Sequence, residues 1–179
     1  PRRRDRVNSA PAAGPLTRHD FSTISMDTWV VIQVVSEQPR DLVEPAVNRA
    51  LAWFESVERI CTRFDPTSEV MQLIGQAGRR VRVSTLLFEA AAFAMHLAEQ
   101  TDGAFDPTIG AALERLGFAT NYRTGETVRS GVDATGISFR DVVLRRASRS
   151  IELRRPLVLD LNAVAKGLAI DLAARELQD

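Results

Sequence analysis

The residues best placed to do chemistry lie in one segment, 157–171, which reads LVLDLNAVAKGLAID. Its apolar start predicts a short buried strand that ends at Asp160, and Asn162 can cap the helix that follows. A helix N-terminus presents free backbone N–H groups and the positive end of the helix dipole, so it can bind an anion such as phosphate. Helix capping would explain Asp160, but a carboxylate at a strand end favours a ligand contact.

Lys166 is the single lysine of the chain, because the other 22 of its 23 basic residues are arginines. A solvated charge on a helix is the simplest interpretation. Gly167 beside it allows close backbone approach, which favours a phosphate or carboxylate partner for the lysine. A third interpretation, a Schiff-base lysine, requires a desolvated pocket that a sequence does not show. We interpret Asp171 as a surface or supporting residue.

A second candidate region is the loop 101–108, which Pro107 stiffens. A carboxylate on a rigid loop can hold a hydroxyl or an amine of a ligand with little ordering cost. Turn residues that satisfy local backbone donors explain Asp102 better, whereas the two interpretations weigh equally for Asp106. The single cysteine, Cys61, lies on the apolar face of a predicted helix, which indicates a buried structural thiol rather than a nucleophile.

The elements that must position these residues are both helical and extended. The β-branched run 28–35 predicts a strand buried on both faces or nearly so. Helical periodicity extends from Val43 to Cys61 and again from Leu86 to Ala98, and residues 142–153 predict a hairpin. Helices interleaved with strands that include a hairpin predict an α+β fold, with a mixed sheet and packed helices.

Composition limits the domain organisation and the partners. Residues 1–24 are predicted to be a disordered tail, because they begin with clustered arginines and continue in a Pro/Ala-rich run. A formal net charge of zero provides no global field to attract nucleic acid or an anionic membrane. No run approaches the ~20 apolar residues of a membrane helix, and no signal peptide is recognised in these residues.

Four segments, in order, resemble the FAD:protein FMN transferase family, also called ApbE-like proteins. They are SMDTWVVIQV (25–34), CTRFDPTSEV (61–70), TDGAFDPTIGAALERLGF (101–118) and LDLNAVAKGLAIDLAARELQD (159–179). The resemblance covers the chain from about Ser25 to its end. It implies that residues 25–179 are the N-terminal portion of an ApbE-like α+β domain, truncated at the C-terminus, that binds FAD in an extended cleft.

The implied reaction is the Mg²⁺-dependent transfer of FMN from FAD to a Thr or Ser hydroxyl of a target flavoprotein, with release of AMP. Carried over by matching positions, the implied flavin contacts are Met26, Phe64, Ala104, Phe105, Asp106, Asp160 and Lys166. The backbone carbonyl of Ala163 is the implied ligand of the metal. The resemblance assigns no catalytic residue here, and the acceptor protein is not identified.

This chain departs from the family pattern at several positions, and these departures suggest an alternative function. Asp27 stands where the family usually has Gly, and Asn162 and Ala163 replace two small residues. The His-containing loop and the remaining metal ligands of the family belong to a C-terminal half outside these residues. We therefore expect this chain alone neither to hold Mg²⁺ competently nor to transfer FMN. The alternative is a non-catalytic FAD-binding module or an inactive family member. Many family members are exported and some are lipid-anchored, so the compartment stays open.

Overall fold

The computed structural model describes residues 14–133 and 135–178, and within them it has the predicted α+β fold. The strands of this part of the chain are β1 (Thr17–Ser25), β2 (Thr28–Ser36), β3 (Arg80–Arg82), β4 (Val142–Arg145) and β5 (Ser150–Leu153). The helices are α1 (Arg40–Cys61), α2 (Glu69–Ile74), α3 (Thr85–Gln100), α4 (Gly110–Arg115) and α5 (Asn162–Glu176). Single 3-10 turns occupy Phe139–Asp141 and Arg146–Ser148.

The first two strands form an antiparallel hairpin whose inner face packs on α1. This corrects the prediction of a disordered tail at 1–24, since residues 17–24 belong to β1, while residues 1–13 lie outside the described part. Alternate side chains of β1, including His19, Phe21 and Ser25, are buried. Two of these three are polar, so the alternation was not visible as an apolar pattern.

Strand β2 is buried on one face only, contrary to the prediction for residues 28–35. Trp29 is 70% exposed, and Val31 and Val35 are exposed as well. Val30 is buried, because it lies on the face that turns toward the helices. A β-branched run reports strand geometry well, but it does not report how many faces of the strand are covered.

The remaining strands form a second antiparallel sheet in the order β3-β5-β4. Helices α1, α3 and α5 pack together over it and share one core with buried residues such as Val57, Phe88 and Leu159. None of the helices that the structure describes is long and apolar enough to span a membrane.

The predicted strand before Asp160 is a buried extended segment with a single parallel bridge, between Ile109 and Val158. The segment pairs with a loop instead of a sheet. Val158 O accepts from Gly110 N at 3.1 Å, and Asp160 N donates to Pro107 O at 2.7 Å. The apolar residues at 157–161 are therefore buried as predicted, but they belong to no strand.

Candidate functional site

The predicted site residues converge on one open cleft of about 650 Å³. Five segments form its walls: the β1–β2 turn, the end of α1, the loop before α4 with α4 itself, residues 117–122, and the start of α5. Seven of the eight predicted residues line it, namely Met26, Phe64, Phe105, Asp106, Asp160, Ala163 and Lys166. Ala104 is exposed and lies outside this lining.

Asp160 forms a buried ion pair at the base of the cleft. Arg63, which is 3% exposed, donates from Nε to Asp160 Oδ2 at 2.6 Å. The other carboxylate oxygen, Oδ1, accepts from Asn162 N at 3.0 Å. Arg63 Nη1 donates to Phe118 O at 2.6 Å, and its guanidinium lies 4.1 Å from the centroid of the Phe64 ring. The pair thus fixes two cleft walls while Arg63 neutralises the carboxylate.

The start of α5 differs from the prediction. Its N-cap is Leu161 rather than Asn162, with no side-chain cap on the Leu161 position, and Asp160 supplies the acceptor. Val164 N and Ala165 N both donate to Leu161 O. The bond of Ala165 N is the ordinary first bond of the helix, so two of the four N–H groups that lack a helical acceptor, those of Asn162 and Val164, have partners within the chain. These partners narrow the anion site expected from the backbone of this helix, and the side chain of Lys166 adds a cationic group.

Lys166 is exposed on α5 and lines the cleft. Within residues 14–133 and 135–178, it takes part in none of the salt bridges that the structure shows. Gly167 next to it does not line the cleft, and a Cβ added there would meet nothing within 4 Å. The cleft therefore combines the Arg63–Asp160 pair with a solvated ammonium group and with the carboxylates of Asp27, Glu58 and Asp106.

The carboxylate of Asp106 accepts hydrogen bonds from within the chain. The interpretation of Asp106 as a turn residue that satisfies local backbone donors requires such bonds. Its Oδ1 accepts from Thr108 N at 2.8 Å and from Thr108 Oγ1 at 2.7 Å. Its Oδ2 accepts from Phe139 N at 3.0 Å, which ties the loop before α4 to the 3-10 turn. Asp106 still lines the cleft, so these bonds position it there.

Met26 lies in a two-residue hairpin turn at the rim of the cleft. Met26 and Asp27 have φ values of 52° and 56°, and Ser25 pairs with Thr28 across the turn. Two successive positive φ values are the geometry of a type I′ turn. Aspartate tolerates this region better than most residues, so the turn forms without the usual glycine.

Comparison with known proteins shows the family of the chain. A model of the ApbE family matches residues 26–179. The chain belongs to the ApbE family. It is 25% identical over 175 residues to an FAD:protein FMN transferase of Treponema pallidum (strain Nichols), with 92% of this chain and 48% of that relative covered.

Solved ApbE structures share the fold. The ApbE protein of Thermotoga maritima superposes with a TM-score of 0.74 at 24% identity, over 90% of this chain and 52% of that one. The flavinyl transferase ApbE of Pseudomonas stutzeri, in its apo form, superposes with a TM-score of 0.74 at 22% identity, over 91% of this chain and 55% of that one. The flavin transferase ApbE of Vibrio cholerae superposes with a TM-score of 0.72 at 23% identity, over 92% of this chain and 54% of that one. The chain spans about half the length of these relatives.

Sequence reasoning missed several residues that line the cleft, among them Glu58, Arg63, Phe118 and Tyr122. A signal existed for Glu58, because it lies four residues after Phe54 on the apolar face of α1. A carboxylate in that stripe indicates a buried polar contact. Arg63 carries no such signal among 22 arginines, and its burial follows only from the approach of Asp160.

The described residues do not fit a magnesium site by themselves. Within residues 14–133 and 135–178 there is no group of three or more His, Cys, Asp or Glu side chains that could hold a metal ion. Both oxygens of Asp160 already accept hydrogen bonds from within the chain. Ala163 lies in the first turn of α5 and lines the cleft, but one carbonyl is not a donor set for Mg²⁺.

The thiol of Cys61 is expected to be unreactive in the folded protein. It lines the cleft but is 3% exposed, and burial, with a smaller contribution from the charge of Glu69, raises its pKa to about 12. Because only the thiolate reacts, a disulfide reagent at about pH 8 should modify the folded protein roughly a thousandfold more slowly than the unfolded one. Ellman titration with and without denaturant measures both rates, and equal rates would contradict the burial of this thiol.

The environment of the Tyr122 phenol can be tested by titration, because Tyr122 is the only tyrosine in the sequence. Burial raises the pKa of its phenol, and the hydrogen bond and charge of Glu58 add to that rise. The backbone of Asp27 and the charge of Arg123 oppose it. The folded state thus favours the neutral phenol, so this contribution to stability is complete below about pH 10 and is lost as pH rises through the folded pKa.

Tyrosinate absorbance in a pH titration measures this group without overlap. We expect its midpoint to lie higher in the folded protein than in denaturant. A midpoint that does not change on unfolding would contradict the combined effect of burial and of the contact with Glu58.

Proposed function

We propose that the chain forms the FAD-binding part of an FAD:protein FMN transferase. In the proposed reaction, a Thr or Ser hydroxyl of a target flavoprotein attacks the phosphorus next to the riboflavin moiety of FAD. The bond from that phosphorus to the AMP oxygen breaks, AMP leaves, and the hydroxyl proton passes to a base that we leave unassigned. The observation that best supports this proposal is the convergence of seven predicted residues, from four separate segments, on one cleft.

The walls of the cleft suit a flat ring system. Phe64, Phe105 and Phe118 line it, together with the half-buried side chain of Met26. Ligand pockets typically measure about 300–1,000 Å³ and combine apolar or aromatic walls with a few polar groups. Aromatic side chains bind planar ligands by offset stacking or edge-to-face contact. We propose that the isoalloxazine ring of FAD lies against these side chains.

Among the charged groups of the cleft, Lys166 is the one suited to contact a pyrophosphate. The lining also carries the carboxylates of Asp27, Glu58, Asp106 and Asp160 and the guanidinium of Arg63. Arg63 neutralises Asp160, so this carboxylate adds little repulsion toward a bound anion. Lys166 lines the same cleft with its ammonium group exposed to solvent. In phosphoryl transfer most of the catalysis comes from positioning and charge neutralisation. We propose that Lys166 contributes to both by contacting the polar groups of FAD.

The proposed reaction includes Mg²⁺, as the resemblance implies, and the ion would supply further charge neutralisation when bound. Because the described residues do not fit a magnesium site, we derive no step through it from this chain. The residues described here bind, orient and screen the substrate.

Replacing Lys166 by arginine tests the lysine assignment. Arginine keeps the charge but presents a larger planar head group with fixed donor geometry. We expect the dissociation constant for FAD to rise about tenfold, which equals about 1.4 kcal/mol. Arg175→Lys is the matched control, because Arg175 is exposed on the same helix outside the cleft lining. If Lys166→Arg binds FAD as tightly as this control, the lysine is ordinary surface.

Mass spectrometry of an acceptor tests the reaction itself. The full-length protein is incubated with FAD, Mg²⁺ and a candidate acceptor flavoprotein. We expect the acceptor to gain the mass of one FMN phosphoester, located on a Thr or Ser. FMN in place of FAD is the control, because it lacks the pyrophosphate bond that must break. FAD binding without transfer to any of several acceptors would support the alternative function, a non-catalytic FAD-binding module.

A further inference from the structure

Glu58 holds together three segments that are far apart in the sequence. Its carboxylate is 9% exposed at the end of α1. Oε2 accepts from Ser25 Oγ at 2.8 Å and from Met26 N at 3.0 Å. Oε1 accepts from Tyr122 OH at 3.0 Å and lies 3.4 Å from Arg123 Nη2. A single buried side chain therefore contacts the β1–β2 turn on one side and a loop that follows α4 on the other.

This loop crosses the end of α1 as a strap, which we define as residues 118–123. Besides Tyr122, two further contacts fix it. Phe118 O accepts from Arg63 Nη1, and Asn121 Nδ2 donates to Phe64 O at 3.1 Å. The glycine before it, Gly117, has a φ of 96°, so the chain turns there in a conformation that favours glycine.

Tyr122 and Glu58 line two cavities. Both residues line the main cleft, and both line a second cavity of about 500 Å³. The hydrogen bond between them therefore joins two lining residues of the main cleft. If it opens, the strap and the β1–β2 turn lose their common anchor.

The cost of burying Glu58 indicates a role other than stability. A buried carboxylate must recover several kcal/mol of lost hydration through its partners, and an apolar residue at the same place is often at least as stabilising. The neighbouring residues on this face of α1, Phe54 and Cys61, follow that apolar pattern. Fully satisfied polar networks of this kind fix one geometry. Here the geometry is that of Met26, whose φ of 52° places it in a turn that few side chains adopt.

We propose that Glu58 is a positioning residue that sets the distance between the Met26 turn and the Tyr122 strap, and thereby the width of the cleft for FAD. The proposal rests on the proposed function, because it takes FAD as the ligand of that cleft. It adds two residues, Glu58 and Tyr122, to those that determine how tightly the ring system is held.

Two variants and a matched control test this. Tyr122→Phe keeps the ring that lines the cleft and removes only the hydroxyl that donates to Glu58. Glu58→Gln keeps the size of the side chain and its ability to accept from Ser25 and Met26. Glu114→Gln is the control, because Glu114 is 5% exposed, accepts from Ser130 N and lies outside the cleft lining.

We expect Tyr122→Phe to raise the dissociation constant for FAD about tenfold at a temperature where the protein stays folded, and Glu58→Gln to raise it less. Glu58→Gln should also lower the midpoint of the Tyr122 absorbance titration, because it removes the carboxylate charge. Glu114→Gln should change neither quantity, whatever it does to stability. A purely structural role for Glu58 would change stability without changing FAD affinity or the Tyr122 midpoint.

The possible failures are distinguishable. If the unaltered protein binds FAD and Tyr122→Phe binds it equally tightly, the positioning role is wrong and the proposed function stands. If the unaltered protein does not bind FAD at all, the proposed function is wrong and the positioning role fails with it. If Glu58→Gln leaves the Tyr122 midpoint where it was, the contact that carries the proposal does not form in solution.

Discussion

Replacing Arg63 by methionine should lower the free energy of unfolding by about 3–5 kcal/mol, because it leaves the buried carboxylate of Asp160 without its cation. The Arg63 and Asp160 side chains are 3% and 10% exposed and lie 2.6 Å apart, so solvent screens the pair little. The substitution also removes the donor to Phe118 O, and with it one anchor of the strap. Urea unfolding measures the change. If the dependence of the unfolding free energy on urea concentration keeps its slope, the shift of the midpoint reports a change in stability.

A matched control and a double variant make this test specific. Arg140→Met removes an arginine whose partner, Asp102, is 94% exposed, so we expect a cost below about 1 kcal/mol. Arg63→Met combined with Asp160→Asn should be less destabilising than the sum of the two single changes, because neither charge is then left alone. Equal effects of Arg63→Met and Arg140→Met would contradict the buried pair.

Replacing Gly110 by alanine should destabilise the protein by about 3 kcal/mol, the upper part of the range for overpacked cores. A Cβ at this position would lie 2.5 Å from Val158 Cγ1 and 2.7 Å from Val158 O, and the second of these is backbone. Relief requires the segment 158–160 to move away from the loop before α4. Because Asp160 follows directly, the base of the cleft should move with it.

Gly167→Ala is the natural comparison for this variant. Gly167 lies in α5 with nothing within 4 Å of an added Cβ, so the change should add up to about 1 kcal/mol through helix propensity alone. The two glycine substitutions should therefore shift the unfolding midpoint in opposite directions. A gain of stability from Gly110→Ala would contradict the close approach at Val158, and a loss from Gly167→Ala would contradict the open space around Gly167.

The sequence predicted the members of the cleft better than the elements that carry them. The chemistry of the segment 157–171 and the resemblance both point to Asp160 and Lys166, whereas the resemblance alone points to Met26 and Phe64. Short family segments are matched residue by residue and need no knowledge of the fold. The strand β1 was not predicted, since its inward residues His19 and Ser25 are polar. Their burial depends on Gln38 O, which His19 Nε2 contacts, and on Glu58, and both partners are distant in sequence.

The segment before α5 shows that burial can be predicted from the sequence where secondary structure cannot. Its apolar residues at 157–161 were read correctly as buried, yet burial alone does not distinguish a strand from an extended segment that pairs with a loop. The side chain that accepts a hydrogen bond at the start of α5 is that of Asp160, not that of Asn162. Which side chain accepts from the first N–H groups depends on where the chain enters the helix, and here that entry is fixed by Pro107 O and Arg63.

Hydrogen exchange with and without FAD tests the central claim, that this cleft binds FAD, most directly. Mass spectrometry compares the exchange of backbone amides in the protein alone and with saturating FAD. We expect slower exchange in the five wall segments, around residues 25–28, 61–66, 105–113, 117–122 and 160–167, with β3 at 80–82 unchanged as the internal control. Bound FAD that slows exchange elsewhere and leaves these five segments unchanged would contradict the assignment of the cleft.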